Sequence, residues 1–172
     1  MTVRKMVLIA ILGAIAVVVA IAESFIPSIG IPGIKLGLDN IGILVALYEL
    51  GILEALFINL LRVVIASLVR GTFLSMGFLM SLTGALLSLG IMIIFYLFIK
   101  KFSIIGVSVI GSTFHIFGQI IIAMIYLGSG FVLYYLPIIG LSAIITGVFV
   151  GIVARAIIKT GIIRKQKERY NF

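Results

Sequence analysis

Apolar residues run through this chain in long unbroken stretches, and Gly, Pro and charged residues gather in the gaps between them. Stretches near twenty residues match the length at which a helix crosses roughly 30 Å of hydrocarbon. Lipid-facing barrel strands would instead alternate polar with apolar positions, and these runs are continuous. Backbone amides in lipid need partners within the chain, so continuous apolar runs predict helices. The pattern places helices at Met6–Ile26, Leu38–Leu50, Ile52–Val69, Phe73–Ile99, Ile104–Leu127 and Leu136–Ile158. Pro27, Gly30, Pro32 and Gly33 interrupt the chain after the first, and Gly51 marks a tight turn after the second. The expected fold is all-α: a single transmembrane domain of six helices over residues 1–160, followed by a basic tail at 161–172.

Composition strengthens that reading. Hydrophobic residues are 63% of the 172 positions and charged residues only 10%, whereas a water-soluble domain keeps about a quarter of its residues charged. The formal charge of +8 raises the question of nucleic acid, but that partner needs basic residues gathered on a soluble face. Here they mark helix ends. Lys and Arg concentrate in cytoplasmic loops, so a cytoplasmic N-terminus puts Arg4, Lys5, Lys100, Lys101, Lys159, Arg164, Lys165, Lys167 and Arg169 on one side. Both termini are then cytoplasmic, in a plasma-membrane protein that crosses six times. Arg4-Lys5 followed by an apolar stretch and Ala20-Ile21-Ala22 is similar to a secretory signal, but the stretch is long for one and serves equally as a retained first span. The absence of cysteine removes disulfides, thiolate metal sites and cysteine nucleophiles.

Small residues recur four apart: Ala10 with Ala14, Ala16 with Ala20, Ser81 with Ala85, Gly84 with Ser88, and Ala143 with Gly147 and Gly151. Such stripes let membrane helices approach closely. Most are expected to pack within the chain, and Ala10 with Ala14 is the stripe best placed to meet a partner subunit.

Ionisable groups at membrane depth are costly and mark sites or bundle interiors. Arg62 falls midway along the third helix with Asn59 three residues before it, and His115 falls midway along the fifth with Gln119 one turn on. Glu23 ends the first helix, and Asp39-Asn40 opens the second. Asp39 or Asn40 could cap that helix or meet a ligand; Glu23 could answer Lys35 or Arg70; His115 and Gln119 could bond a neighbouring helix. Arg62 stays protonated and demands an anion or several carbonyls. Lys35, Asp39, Asn40, Asn59, Arg62, His115 and Gln119 are therefore the candidate substrate-binding residues, and the cationic members favour a ligand with a carboxylate or phosphate. Phe114, Phe117, Tyr126, Tyr134 and Tyr135 could stack on a flat ring, although interfacial Tyr also forms belts.

The segments Ile31–Asn40, Glu54–Val63, Phe78–Ser88 and Gly106–Gln119, with Tyr135–Pro137, resemble the membrane family described as Gx transporter or heptaprenyl diphosphate synthase component I. That family is similar in size and helix count to the substrate-binding S-components of energy-coupling factor transporters. The resemblance implies a vitamin-binding architecture whose first loop, here Ile31–Asn40, closes over an outer site. It also implies Ala10 and Ala14 docking on a membrane coupling subunit driven by ATPases. No vitamin-specific signature is matched. Prenyl transfer needs magnesium held by clustered carboxylates, and Asp39 is the chain's sole aspartate, which argues against an enzyme acting alone. No Gly-rich phosphate loop ends in Lys-Ser or Lys-Thr either. The expectation is a non-enzymatic subunit, without cofactor or metal, that captures an anionic or amphipathic small molecule for uptake. The alternative is a membrane anchor or regulator for an isoprenoid or quinone enzyme.

Overall fold

The computed structural model describes residues 3–25, 37–99 and 102–161. They form α1 (Val3–Glu23), α2 (Asn40–Glu49), α3 (Ile52–Val69), α4 (Met76–Phe98), α5 (Ile104–Leu127) and α6 (Leu136–Lys159), with a 3-10 turn at Gly130–Tyr135 before α6. Among the described residues, five helices have the length and composition to cross a membrane, and α2 is a shorter apolar helix. With 10 residues, α2 rises only about 15 Å, half of a bilayer core.

Local chemistry sets the ends. Gly51, at φ +124°, turns the chain between α2 and α3. The Ser75 side chain caps α4, accepting from Phe78 N–H, and Ser103 does the same for α5, accepting from Gly106 N–H at 3.0 Å. Gly128 closes α5 in the left-handed conformation, and Pro137 sits in the first turn of α6. The expected bounds of α3 and α5 agree with those observed. The start of α4 differs: Phe73 and Leu74 are apolar but lie in the turn, with Leu74 at φ +61°, and the helix waits for the Ser75 cap. α1 ends at Glu23, and Ile26, the last residue expected in it, lies outside the described residues.

Lys5 pairs with Glu54, so α1 and α3 run parallel from one end of the bundle. The chain then alternates direction, and the start of α1 and the end of α6 share that end. It carries Lys5, Arg155 and Lys159. Glycines weld α4, α5 and α6 together. A Cβ on Gly84 would sit 2.6 Å from the His115 carbonyl oxygen, one on Gly118 would sit 2.7 Å from Gly84 Cα, and one on Gly147 would sit 2.6 Å from Val109 Cα. Such approaches give the dispersion contacts that hold helices together where lipid is as apolar as Leu. α2 is wrapped by protein: Ile43, Leu44, Val45, Ala46 and Leu47 are all fully buried. Outward-facing positions such as Leu53, Ile125 and Ile145 stay exposed and apolar, as a lipid-facing surface requires.

Candidate functional site

Because α2 is short and leaves the Gly51 turn antiparallel to α3, its first residue reaches the level of the middle of α3. Asp39 thereby pairs with Arg62 through Oδ1 and Nη1. The Arg62 Nη2 donates to Asn59 Oδ1 at 2.8 Å, one helical turn away, and Asn59 Nδ2 donates to the Ala85 carbonyl at 2.9 Å. A charge-assisted chain thus runs from the start of α2 through α3 to the middle of α4.

α5 closes the other side. The His115 ring lies against Gly84 of α4, whose added Cβ would be 3.3 Å from His115 Cδ2, and near Gly37, where the same distance is 3.8 Å. Gln119 packs on Gly84 one turn further along. Gly37, at φ +87°, also has the Asn40 amide against it, with Nδ2 3.1 Å from the position of a Cβ. Glu23 reaches in from α1 and accepts from Gly37 N–H at 2.6 Å. The structure brings together Asp39, Asn40, Asn59, Arg62, His115 and Gln119, all buried to 3% exposure or less. Lys35 lies outside the described residues, as does most of the expected capping loop.

One assignment changes. Asp39 does not cap α2: it makes no side-chain cap hydrogen bond, and its carboxylate pairs with Arg62. Glu23 accepts from the Gly37 amide, and its charge also acts on Arg70, as a counter-ion does. Burial lowers the Arg70 guanidinium from its ordinary value, and the Asp39 and Glu23 carboxylates oppose the shift. Arg62 and Arg70 are therefore balanced in kind by Asp39 and Glu23. The aromatic residues proposed for stacking turn outward: Tyr126, Tyr134, Tyr135, Phe114 and Phe117 are all exposed, the tyrosines near the end of α5 and the start of α6, where a belt forms.

Spare polar capacity remains at the centre. Among the described residues, Arg62 Nε and both ends of the Asn40 amide are buried without a hydrogen-bond partner. Buried donors of this kind cost about 1–3 kcal/mol each when left unmet. The hydroxyls of Ser88, Ser108 and Ser112 are likewise buried and unmet. Sequence reasoning passed over Ser108 and Ser112, although they form with His115 and Gln119 a polar stripe at steps of four, three and four along α5. It also passed over Gly37, and it read Gly84 as a packing residue without seeing that its missing side chain makes room for His115. Ala10 and Ala14 both lie exposed on α1, while Ala16 and Ala20 are buried. Close packing against α2 explains Ala16, whose Cβ would be 3.2 Å from a Cβ on Gly42.

The family model for heptaprenyl diphosphate synthase component I matches residues 12–157. The chain belongs to that family. The match contains all six helices in whole or in part, and with them every described candidate of the polar centre. No curated protein and no solved structure matches the chain. As a component I family member with apolar helices of membrane-spanning length, the chain is a helical membrane protein whose family name implies a partner subunit.

Proposed function

We propose that this protein is an integral membrane subunit that binds an amphipathic small molecule in the polar centre and hands it on with the help of partner subunits. The basic end is cytoplasmic by the positive-inside rule, the protein sits in the plasma membrane, and the polar centre faces the outer half. Lys35 joins the site on sequence alone. The observation that carries the reading is the buried Arg62–Asn40 pair of groups with unmet donors and acceptor beside an internally balanced ion pair. Because Asp39 already answers the Arg62 charge, the proposed ligand has a neutral or zwitterionic head rather than a bare anionic one. The head would bond Arg62 Nε and the Asn40 amide, with His115 and Gln119 beside it. The exposed face of α1 around Ile11, Ala14 and Val18, with Ala10 at its edge, would dock the partner. A membrane coupling subunit with ATPases suits uptake, because the chain carries no nucleotide motif.

The family match favours a second reading, a membrane anchor or regulator of a prenyl diphosphate synthase. Co-purification separates the two: a nucleotide-hydrolysing complex supports uptake, and a soluble prenyl synthase supports anchoring. The binding claim is tested with one thiol, since the natural chain has no cysteine. Asn40→Cys in intact cells should react slowly with a membrane-impermeant maleimide, and culture extract containing the ligand should slow it further. A rate unaffected by extract, or no reaction at all, refutes an outward-opening site.

A further inference from the structure

Asn40 is the first residue of α2 and is buried to 3% exposure. Its backbone N–H is used, donating to the Gly37 carbonyl at 3.1 Å. Its side chain is not: among the described residues neither Oδ1 nor Nδ2 has a hydrogen-bond partner. Packing does not call for an amide there. The residues that follow, Ile43 to Leu47, are fully buried and all apolar, and an apolar side chain at position 40 would avoid the penalty of two buried polar atoms left unmet. Other groups around it are similarly open. Arg62, paired with the neighbouring Asp39, keeps a buried Nε donor without a partner. Gly37 leaves its side-chain space between Asn40 Nδ2, 3.1 Å from the position of a Cβ, and two carbons of the His115 ring at 3.8 and 3.9 Å. The start of α2 has no side-chain cap, so the positive end of the helix also meets this point.

We propose that the head bound at this point is a neutral planar group whose edge carries an N–H beside a carbonyl, as in a lactam or a cyclic urea. The inference rests on the reading of the polar centre as a ligand site and names the chemistry that site selects. Asn40 Oδ1 only accepts and Nδ2 only donates, so the open amide requires a ligand donor and a ligand acceptor side by side. An amide edge supplies both in one plane through two parallel bonds, the geometry by which Asn pairs with the donor–acceptor edge of adenine. A further acceptor on the same head would take the bond from Arg62 Nε. Competing heads leave atoms unmet. A carboxylate or phosphate answers the donors but sets Asn40 Oδ1 against another acceptor, and it adds a charge where Asp39 already balances Arg62. A quaternary ammonium has no N–H for Oδ1. A primary ammonium has one, but it carries the cost of burying its charge and opposes the positive end of α2.

The test is equilibrium dialysis of the purified full chain in detergent against probes that share one octyl tail: a cyclic urea, its N,N′-dimethyl derivative, nonanoate and octylamine, each corrected for uptake by protein-free micelles. Wild type should retain the cyclic urea, and the dimethyl derivative, which keeps the carbonyl and loses both N–H groups, should bind about tenfold more weakly because Asn40 Oδ1 is again unmet. Nonanoate and octylamine should bind more weakly than the urea. In Asn40→Leu, which has neither amide atom, the two ureas should bind alike; a merely steric effect of the methyl groups would persist in that variant. Equal binding of the two ureas to wild type, tighter binding of nonanoate or octylamine, no retained probe, or discrimination that survives Asn40→Leu overturns the assignment. The wild-type comparisons decide it even if the variant misfolds. A compound that co-purifies with the natural chain and has no amide edge would refute the head assigned here and leave the binding role standing, whereas repeated recovery of no compound would refute both.

Discussion

Removing the Arg62 guanidinium takes from Asp39 the cation it pairs with, and the size of that effect follows from the geometry. The side chains are 1% and 4% exposed, so neither charge can turn to water. Breaking one side of such a pair costs about 3–5 kcal/mol. Arg62→Met should therefore destabilise the bundle by about that amount, and Asp39→Leu by a similar amount because the guanidinium keeps only its bond to Asn59. The double variant should recover most of the loss, since replacing both charges by apolar groups removes the desolvation penalty as well as the attraction. Its remaining deficit is the Asn59 Oδ1 acceptor left unmet, about 1–3 kcal/mol. Summed over the cycle, the coupling between the two sites should exceed about 3 kcal/mol. Reversible unfolding in mixed micelles, followed by helical circular dichroism, measures all four corners. Additivity within about 0.5 kcal/mol would mean that the two side chains do not act as a pair, and the site geometry built on them would fail.

Gly118→Ala should destabilise by about 1–3 kcal/mol, because the new methyl would meet the Gly84 backbone at 2.7 Å. Gly90→Ala, with open space at its Cβ, should be neutral or stabilising by up to about 1 kcal/mol in the same unfolding assay. Gly37→Ala should cost about 1–2 kcal/mol from its left-handed φ of +87° alone; it should also crowd the Asn40 amide, 3.1 Å from the new Cβ, read as lost ligand retention. Glu54→Gln should change stability by no more than about 1 kcal/mol, since its pair with Lys5 is partly exposed.

Hydropathy located the spans because lipid imposes one requirement on every outward position. It could not locate the start of α4, since Phe73 and Leu74 satisfy lipid equally well in a turn. Nor could it show that α2 is a half-length element. The apolar residues of α2 are hidden by neighbouring helices, and burial in protein leaves the same apolar signature as burial in lipid. The polar centre was legible as a set of residues because charges inside a membrane are rare. Its internal pairing was less so, although a signal existed: counting outward from Gly51 places Asp39 twelve residues back and Arg62 eleven residues on, level in an antiparallel hairpin. The pairing places the counter-charge of Arg62 within the chain itself.

Mass spectrometry of small molecules extracted from gently purified protein tests the central claim most directly. Wild type should carry one amphipathic compound at near-equal amounts with the chain, and Asn40→Leu, which removes no existing hydrogen bond among the described residues, should fold and carry none. Repeated recovery of wild type without any such compound, or equal loading of the Asn40→Leu variant, would contradict the account.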